Sequence, residues 1–373
     1  NSSFSGPLTR AGMGFGATPL AKRLKELRQD QVFPPTKLDE DRFRFCQVLV
    51  EGLRSGGRIE LFEDRCGPWP IAVKRLPRAW TLDSPEAFSA AHPDLLESPW
   101  KEIEVLMQLS RSEVSAGICP CHGAFLDSQG DILLLCEYFP RGDLHEFVDR
   151  FLPEPGELRE EKVWPLLQSL LRAVEGLHQA GIAHGDISLE NVLLGNDGEV
   201  RLIDFEAAVI EAPARTRGSR GKPSYQAPEM HGDDVVFDAQ AADLFACGVL
   251  AYCLAIGDYP WKSTRSGCCK GFDFFQANGL QAFLRQRRLK LTGGAKGSAV
   301  AKVISPELQE MLRILLNPVP MHRREAFALA RMTQGFMYQR IGASESDNSE
   351  DTNLSPTLGW AVASLSPPVI LTQ

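Results

Sequence analysis

The sequence predicts an α+β fold in two parts, a smaller part rich in strands and a larger, mainly helical part. Three runs with strand character lie before residue 140, at residues 43–50, 59–62 and 132–139. Helical patterns dominate after that point, and the longest is LLQSLLRAVEGLHQAGIA from Leu166. Strands and helices that segregate along a chain in this way are typical of α+β proteins.

The composition is that of an ordinary globular protein. Of 373 residues, 43% are apolar and 24% are charged, and this length allows one or two domains. The formal net charge of -8 argues against a nucleic-acid partner. No apolar run reaches the roughly 18 residues of a membrane span, and the apolar tail WAVASLSPPVIL is short. The nine cysteines cannot all pair within one chain, and the sequence indicates no oligomeric state.

The central motif of the chain is HGDISLENVLL, at residues 184–194. It follows the long helical pattern and precedes two short predicted strands, which a Gly-Asn-Asp-Gly turn joins. The loop carries an acid, Asp186, and an amide, Asn191, and Asp204 at the end of the second strand adds another oxygen ligand. Loops held on a scaffold of helices and strands often carry function, so this segment predicts a site for positioned polar chemistry.

Four motifs occur in the order found in protein kinases. HGDISLEN resembles the kinase catalytic loop, HRDLxxxxN, and DFE at residues 204–206 resembles the DFG that follows it. Upstream, IAVK at residues 71–74 resembles the strand whose lysine holds the nucleotide phosphates. Downstream, APE at residues 227–229 resembles the end of the activation segment. On these motifs, the region from about residue 41 to 335 is identified as a member of the protein kinase superfamily.

This resemblance implies a bilobal kinase fold, with a small, mostly β N-lobe over residues 41–139 and a larger, mainly α C-lobe over residues 140–340. Residues 1–40 form a predicted extension, largely disordered, with a short helical pattern, and residues 341–373 form a predicted disordered tail. The implied activity is that of an ATP- and Mg²⁺-dependent protein serine/threonine kinase, which transfers the γ-phosphoryl group to protein hydroxyls.

The resemblance also assigns residues of the catalytic loop. Asp186 lies at the position of the catalytic base, and Asn191 and Asp204 lie at the positions of the magnesium ligands. Asp243, at the start of a later apolar helix, matches the aspartate that anchors the backbone of this loop in kinases.

Two ion pairs are implied as well. Lys74, which would hold the nucleotide phosphates as a catalytic and nucleotide-binding residue, pairs with an acid on the helix KEIEVLMQL. Glu102 is the expected partner and Glu104 the alternative, because the phase of the helix does not choose between them. Arg323 is expected to pair with Glu229 of the APE motif and to act as a structural clasp.

The nucleotide-binding elements fit the kinase pattern less closely. Residues 51–57 match the glycine-rich loop GxGxxGxV at its first and third glycines, Gly52 and Gly57, but Arg54 takes the middle position. A simple hairpin turn is the alternative interpretation. At the hinge, the resemblance implies that the backbone from Glu137 to Phe139 hydrogen-bonds the adenine edge.

Four residues near the site depart from the family pattern. Gly185 replaces the arginine before the catalytic aspartate, and Ser188 replaces the lysine that faces the transferred phosphoryl group in serine/threonine kinases. Glu206 replaces the glycine of DFG, and Lys222 replaces a threonine that precedes APE. Arg54 is a candidate replacement for the cation missing at residue 188. Two functions stay open: an active kinase, or a catalytically weak or inactive pseudokinase that acts as a binding scaffold.

The activation segment is basic in an acidic chain. Arg215, Arg217, Arg220 and Lys222 lie within eight residues. One interpretation is a dock for a protein substrate with acidic flanks, through charge complementarity. The other interpretation is a solvated basic loop.

A narrower resemblance concerns the divergent secreted kinases of apicomplexan parasites, the rhoptry and dense-granule kinases, which include a branch without the glycine loop. It rests on the degenerate glycine pattern, the enlarged segment from Asp83 to Trp100 and the sequence HGDIS. It implies a secretory organelle or the parasitophorous vacuole as the location; without it, the expected location is cytoplasmic.

Overall fold

A β-sheet and a group of helices form two lobes in the computed structural model, and the predicted α+β fold is confirmed. The structure describes residues 36–53, 55–67, 70–109, 116–210, 215–232, 235–290 and 296–333. The chain divides into a unit of residues 1–331, which contains both lobes, and a unit of residues 332–373. Most of the predicted N-terminal extension, the predicted tail and Arg54 lie outside the described residues.

The first lobe is a sheet with the strand order β1-β5-β6-β4-β3-β2. β1 pairs with β5 in parallel, and the other neighbours are antiparallel. The strands are β1 (Thr36–Lys37), β2 (Phe43–Val50), β3 (Arg58–Asp64), β4 (Pro70–Leu76), β5 (Cys121–Leu126) and β6 (Ile132–Glu137). β2 has the predicted bounds, β3 is longer than the predicted run, and β6 ends before its predicted end.

The alternation of side chains along β4 places Lys74 on the face of the sheet opposite to the core. Ile71 and Val73 are buried in a core with Leu133 and Leu135 of the neighbouring strand β6. Successive side chains of a strand point to opposite faces, so Lys74, the next residue, leaves this core and projects from the other face of the sheet.

One short helix lies in the connection from Asp83 to Trp100 that the sequence predicts to be enlarged, and another lies directly before it. The helices of this lobe are α1 (Arg78–Thr81), α2 (Pro85–Ala91) and α3 (Pro99–Leu109). Trp80 and Phe88 hold α1 and α2 together through an edge-on ring contact, with centroids 5.4 Å apart. The backbone N–H of Ser98 donates to the backbone oxygen of Glu206 at 2.8 Å, so this connection also holds the start of the activation segment.

The second lobe is mainly helical. Its helices include α4 (Leu144–Phe151), α5 (Glu157–Gln179), α6 (Ala239–Ile256), α7 (Lys270–Gln286) and α8 (Pro306–Leu315). Among the described helices, α6 alone is long and apolar enough to cross a membrane, but 94% of it is buried inside the fold. An apolar helix buried on all sides is a core helix. Asp243 interrupts its apolar run in the sequence.

Short strand pairs position the loops of the second lobe. β7 (Ile182–Ala183) pairs with β10 (Val209–Ile210), β8 (Val192–Leu194) with β9 (Val200–Leu202), β11 (Arg215–Thr216) with β12 (Phe237–Asp238), and β13 (Arg288–Lys290) with β14 (Lys296–Ala299). The HGDISLEN loop therefore lies between β7 and β8. The segment after β9 returns along β7 and reaches β12, which brings the activation segment next to that loop.

Candidate active site

Asp243 of α6 holds the backbone of the HGDISLEN loop. The side chain is 2% exposed, and its two oxygens accept the backbone N–H groups of His184 at 2.7 Å and Gly185 at 2.9 Å. His178 Nε2 contacts the same carboxylate at 2.9 Å. A buried carboxylate is stable only with such partners, so α6 fixes the two residues that precede Asp186. The predicted anchoring by Asp243 is confirmed.

The structure brings Asp186 and Asn191 together. Asn191 Nδ2 donates to the backbone oxygen of Asp186 at 2.8 Å and to its Oδ2 at 2.9 Å. Asp186 Oδ1 accepts the backbone N–H of Lys222 at 3.2 Å. Burial raises the pKa of Asp186, and the Lys222 ammonium is the largest opposing charge. The carboxylate is thus oriented from both sides, by its own loop and by the activation segment.

Lys74 lies in a cluster of three carboxylates. Its Nζ is 2.6 Å from Glu102 Oε2, 3.0 Å from Glu206 Oε1 and 3.2 Å from Asp204 Oδ1. Burial by itself would lower the pKa of Lys74, but the three carboxylates raise it well above its usual value. Glu102 therefore contacts Lys74, whereas Glu104 accepts a hydrogen bond from Gln108 at 3.2 Å.

This cluster carries more negative than positive charge. Burial raises the pKa of Glu102; Lys74 opposes the rise, and the neighbouring Asp204 and Glu206 add to it. Glu206 is the residue that departs from the DFG pattern, and the structure places its carboxylate directly on the lysine. An anionic nucleotide phosphate and Glu206 are therefore competitors for Lys74.

The donor set beside this cluster suits Mg²⁺. Asp204 offers a carboxylate, and the amide nitrogen of Asn191 is used by Asp186, so the amide oxygen is the group that Asn191 can offer a metal. Hard divalent cations prefer such oxygen ligands. Asp204 also has a φ of +64°, which is rare for a residue other than glycine and occurs at functional sites. The carboxylates of Glu102, Asp204 and Glu206 approach one another as well, but the Lys74 ammonium already pairs with all three.

The loop between β2 and β3 is a tight turn. The backbone N–H of Leu53 donates to the oxygen of Gly57 at 3.2 Å. Gly52 has a φ of +72°. At Gly57 a Cβ atom would lie 2.3 Å from the backbone oxygen of Arg75, so only glycine fits there. Arg54, the middle position of the predicted glycine loop, lies outside the described residues, and its predicted place above the phosphates stays a prediction.

At the hinge, two of the backbone groups from Glu137 to Phe139 are used within the protein. The N–H of Glu137 donates to Pro120 at 3.0 Å, and the oxygen of Phe139 accepts from Gly142 at 3.1 Å. The Glu137 oxygen has a weak contact to the Cys119 thiol at 3.7 Å. The predicted contact of the backbone from Glu137 to Phe139 with an adenine edge stays a prediction.

Arg220 of the activation segment lies against Gly185. Its Nη1 donates to the backbone oxygen of Ala207 at 3.2 Å and its Nη2 to Thr216 Oγ1 at 2.8 Å. Gly185 has a φ of +82°, and a Cβ there would lie 2.4 Å from the Ala207 oxygen and 3.2 Å from Arg220 Cδ. The arginine that is missing from the loop at residue 185 is therefore matched in space by one from the activation segment.

Lys222 makes a similar contact with the loop. Its Nζ lies 2.7 Å from Ser188 Oγ and 3.0 Å from Glu190 Oε2. Of the four cations in the predicted substrate dock, Arg220 is buried and Lys222 is paired with the loop, while Arg215 and Arg217 are exposed. Burial therefore removes Arg220 from the predicted dock, and the preference for acidic flanks stays a prediction.

A buried ion pair closes the activation segment. Arg323, which is fully buried, donates to Glu229 through Nη1 at 2.5 Å and Nη2 at 2.9 Å. It also donates to the backbone oxygen of Ala241 at 3.0 Å. The predicted clasp is confirmed, and it attaches the end of the segment to α6.

Sequence reasoning missed the contacts of Arg220 and Lys222. A signal was present: each cation missing from the loop, at residues 185 and 188, is accompanied by an unexpected cation in the segment, at residues 220 and 222. The pairing follows only from the close approach of the two segments, which spacing along the chain does not encode.

A strand-rich lobe and a helical lobe, with a lysine–carboxylate cluster and an anchored acidic loop in one site, define the class of two-lobed kinase folds. Comparison with protein families agrees: the protein kinase domain model matches residues 80–333, which is more than half of the chain. The chain belongs to the protein kinase family.

Curated relatives include plant and yeast kinases. CBL-interacting protein kinase 3 of Oryza sativa is 32% identical over 141 residues, which are 37% of this chain and 31% of that protein. CBL-interacting protein kinase 21 of Oryza sativa is 28% identical over 232 residues, 61% of this chain and 39% of that protein. Serine/threonine-protein kinase GIN4 of Saccharomyces cerevisiae is 25% identical over 336 residues, 88% of this chain and 26% of that protein. The chain thus spans about a third of the length of these relatives.

Proposed function

We propose that the chain is an ATP- and Mg²⁺-dependent protein serine/threonine kinase. The observation that carries this proposal is the Lys74–Glu102 ion pair at 2.6 Å, which holds a cation beside Asp204 and the anchored catalytic loop. Phosphoryl transfer requires little covalent work from a protein and depends mainly on positioned charges. These side chains supply them.

Each residue has a separate task in this proposal. Lys74 binds nucleotide phosphates, and Glu102 orients it. Asn191 and Asp204 hold Mg²⁺, which neutralises phosphate charge when it is bound. Asp186 accepts the proton of the attacking hydroxyl, and the amide nitrogen of Asn191 keeps its carboxylate in place.

The nucleotide is held by backbone groups in the same proposal. The Glu137 oxygen and the Phe139 N–H bind the adenine edge, and the turn that contains Gly52 and Gly57 covers the phosphates. Arg54 lies between these two glycines in the sequence and remains a candidate phosphate contact.

The proposed substrates are protein hydroxyls. The family match supports this class, and one of the relatives is named a serine/threonine-protein kinase. A preference for acidic flanks is proposed on Arg215 and Arg217, the two exposed cations of the segment. A peptide library without acidic enrichment would remove that preference and leave the kinase proposal intact.

The activity is tested with purified chain, Mg²⁺ and γ-labelled ATP on a mixture of protein substrates. The expected result is label on serine or threonine, and none from a Lys74→Met variant. In parallel, a thermal-shift titration with Mg-ATP should raise Tm, because a ligand that binds only the folded state stabilises it. Binding without transfer would reject the enzyme and leave a nucleotide-binding scaffold.

The pseudokinase scaffold is the second candidate, and one contact favours it. Glu206 Oε1 lies 3.0 Å from Lys74 Nζ, where it competes with a phosphate. If this carboxylate excludes nucleotide, Tm will not change at millimolar Mg-ATP. An unchanged Tm therefore favours the scaffold, whereas a raised Tm leaves the transfer assay to separate the two candidates.

The narrower resemblance to apicomplexan secreted kinases, and the location it implies, remain proposals. They rest on the degenerate glycine pattern, the HGDIS sequence and the enlarged connection that contains α2. A fluorescently tagged chain expressed in its own cells should co-localise with a marker of secretory organelles or of the vacuole. A cytoplasmic signal would reject the secreted assignment without touching the kinase proposal.

A further inference from the structure

Residues 188 and 222 show a reciprocal exchange of residue types. Where serine/threonine kinases have a lysine on the catalytic loop, this chain has Ser188, and where they have a small hydroxyl residue before APE, it has Lys222. The structure joins the two: Lys222 Nζ donates to Ser188 Oγ at 2.7 Å. The ammonium group thus lies on the catalytic loop, two residues beyond Asp186, although the activation segment supplies it.

Two further contacts fix Lys222 at this place. Its backbone N–H donates to Asp186 Oδ1 at 3.2 Å, and its Nζ pairs with Glu190 Oε2 at 3.0 Å. The backbone can come this close because the preceding residue is Gly221, with a φ of +73°. A Cβ at Gly221 would lie 2.8 Å from Asp186 Oδ1 and 2.9 Å from the backbone oxygen of Gly185.

The ammonium group is positioned but not enclosed. The side chain of Lys222 is 41% exposed, while Ser188, which it contacts, is fully buried. A cation that is held beside Asp186 and still reaches solvent is available to an anionic ligand.

We infer that Lys222 is the catalytic cation that contacts the transferred phosphoryl group, in place of the lysine that the loop lacks at residue 188. The inference rests on the proposed kinase function and names a residue for it. In the reaction, the bond from the γ-phosphorus to the ADP oxygen breaks and a bond to the substrate oxygen forms. The hydroxyl proton goes to Asp186, while Lys222 keeps its proton and supplies only charge.

This placement has a consequence for regulation. Because the cation belongs to the activation segment, any movement of that segment removes both the cation and the backbone N–H that orients Asp186. Binding of a triphosphate and the order of the segment are therefore linked, and a triphosphate should stabilise the segment more than a diphosphate does.

The test compares the affinities of Mg-ADP and of Mg²⁺ with a non-hydrolysable ATP analogue by calorimetry. Lys222→Met removes the charge and keeps a side chain of similar length. It should weaken binding of the analogue about tenfold or more and leave binding of ADP little changed, because only the analogue has a γ-phosphate. Lys222→Arg keeps the charge and should retain most of the preference for the ATP analogue over ADP. The double variant Ser188→Lys with Lys222→Thr moves the cation back to the loop and should restore it.

Lys290→Met is the matched control. Lys290 also pairs with an acid, Asp258 Oδ2 at 2.9 Å, but it is 73% exposed and lies outside the site. This variant should bind both nucleotides as the wild type does. Protease protection of the segment, compared between the two nucleotides, gives a second readout, and Lys222→Met should abolish the difference between them.

The outcomes separate the inference from the function on which it rests. Equal weakening of ADP and analogue in Lys222→Met, or no weakening, overturns the role of Lys222, and so does a folded double variant without the preference. If Lys222→Met does not fold, loss of the preference in Lys222→Arg, where the charge is present, overturns it as well. The expected binding pattern without phosphoryl transfer rejects the kinase activity and leaves Lys222 as a γ-phosphate contact without a catalytic role, and a wild type that binds neither nucleotide rejects both.

Discussion

The Lys74 cluster and the catalytic loop belong to one site and differ in where their charges come from. In the first, Lys74, Glu102 and Asp204 occupy the positions expected from the family motifs and contact one another directly. In the second, the two expected cations are absent from the loop. Lys222 of the activation segment bonds to the loop instead, and Arg220 lies beside Gly185 while its guanidinium bonds to Ala207.

The comparison shows that a cation missing from one segment of a site can be replaced by a cation from a neighbouring segment of the fold. Lys74 lies on strand β4 and Glu102 on helix α3. The Lys74 cluster therefore depends on which residues occupy these positions of the two elements. The loop and the segment touch along their backbones, so a cation can be supplied from either side. The following substitutions probe the two halves, from the largest expected effect to the smallest.

Asp186→Asn removes the group that accepts the proton and should lower kcat by roughly 10²- to 10⁴-fold. Nucleotide affinity should change little, because Asp186 is not itself one of the ligands proposed for Mg²⁺. Initial rates and calorimetric titration check both statements. Asp197→Asn, on the turn after β8, is the control and should turn over normally; wild-type turnover in Asp186→Asn would refute the base assignment.

Arg323→Met breaks the clasp and leaves Glu229 without its partner. Loss of one member of a buried ion pair typically costs about 3–5 kcal/mol, so the free energy of unfolding should fall by that amount in a denaturant titration. The control is Arg313→Met, whose pair with Glu310 at 2.6 Å is on the surface and is worth about 0–1 kcal/mol. Equal effects in the two variants would contradict a structural role for the clasp.

Gly185→Ala tests whether the loop has room for a side chain at the lost arginine position. The new Cβ would lie 2.4 Å from the Ala207 oxygen at a φ of +82°, so strain and overpacking together should cost about 3 kcal/mol. Gly267→Ala has a similar φ of +75° with open space around it, and the strain alone should cost about 1 kcal/mol. Chemical denaturation of both variants measures the difference, which would vanish if the loop simply shifts.

Glu206→Gln removes one of the three carboxylates that compete for Lys74. We expect Mg-ATP to bind severalfold more tightly, an effect of about 1 kcal/mol, because the phosphate then meets a less neutralised lysine. Calorimetry on the two proteins decides the sign. Weaker binding in the variant would indicate that Glu206 contributes to holding the metal instead.

Much of the fold was predictable because its elements carry strong local patterns. β2 carries several residues with high strand propensity, and α6 is mostly apolar, so composition places them. The site residues of the Lys74 half follow from motif order. The choice of Glu102 over Glu104 was not predictable, since it depends on how α3 is rotated against β4.

The other half of the site was beyond sequence reasoning for a different reason. The path of the segment past the loop depends on the positive φ values of Gly185 and Gly221, and their sequence neighbours do not reveal them. Arg220 and Lys222 therefore resembled a surface dock, and Arg54 was the candidate for the missing cation at residue 188. Only the folded arrangement shows that Lys222 already reaches Ser188.

The most direct test of whether Lys222 replaces the cation missing at residue 188 is a double-mutant cycle on kcat/KM for ATP at residues 188 and 222. Lys222→Thr alone should lower kcat/KM by about tenfold or more, since it leaves the loop without a cation. Adding Ser188→Lys to that variant should recover most of the loss, whereas Ser188→Lys in the wild type should give no comparable gain. Strictly additive effects of the two substitutions would contradict the claim that the two positions share one cation.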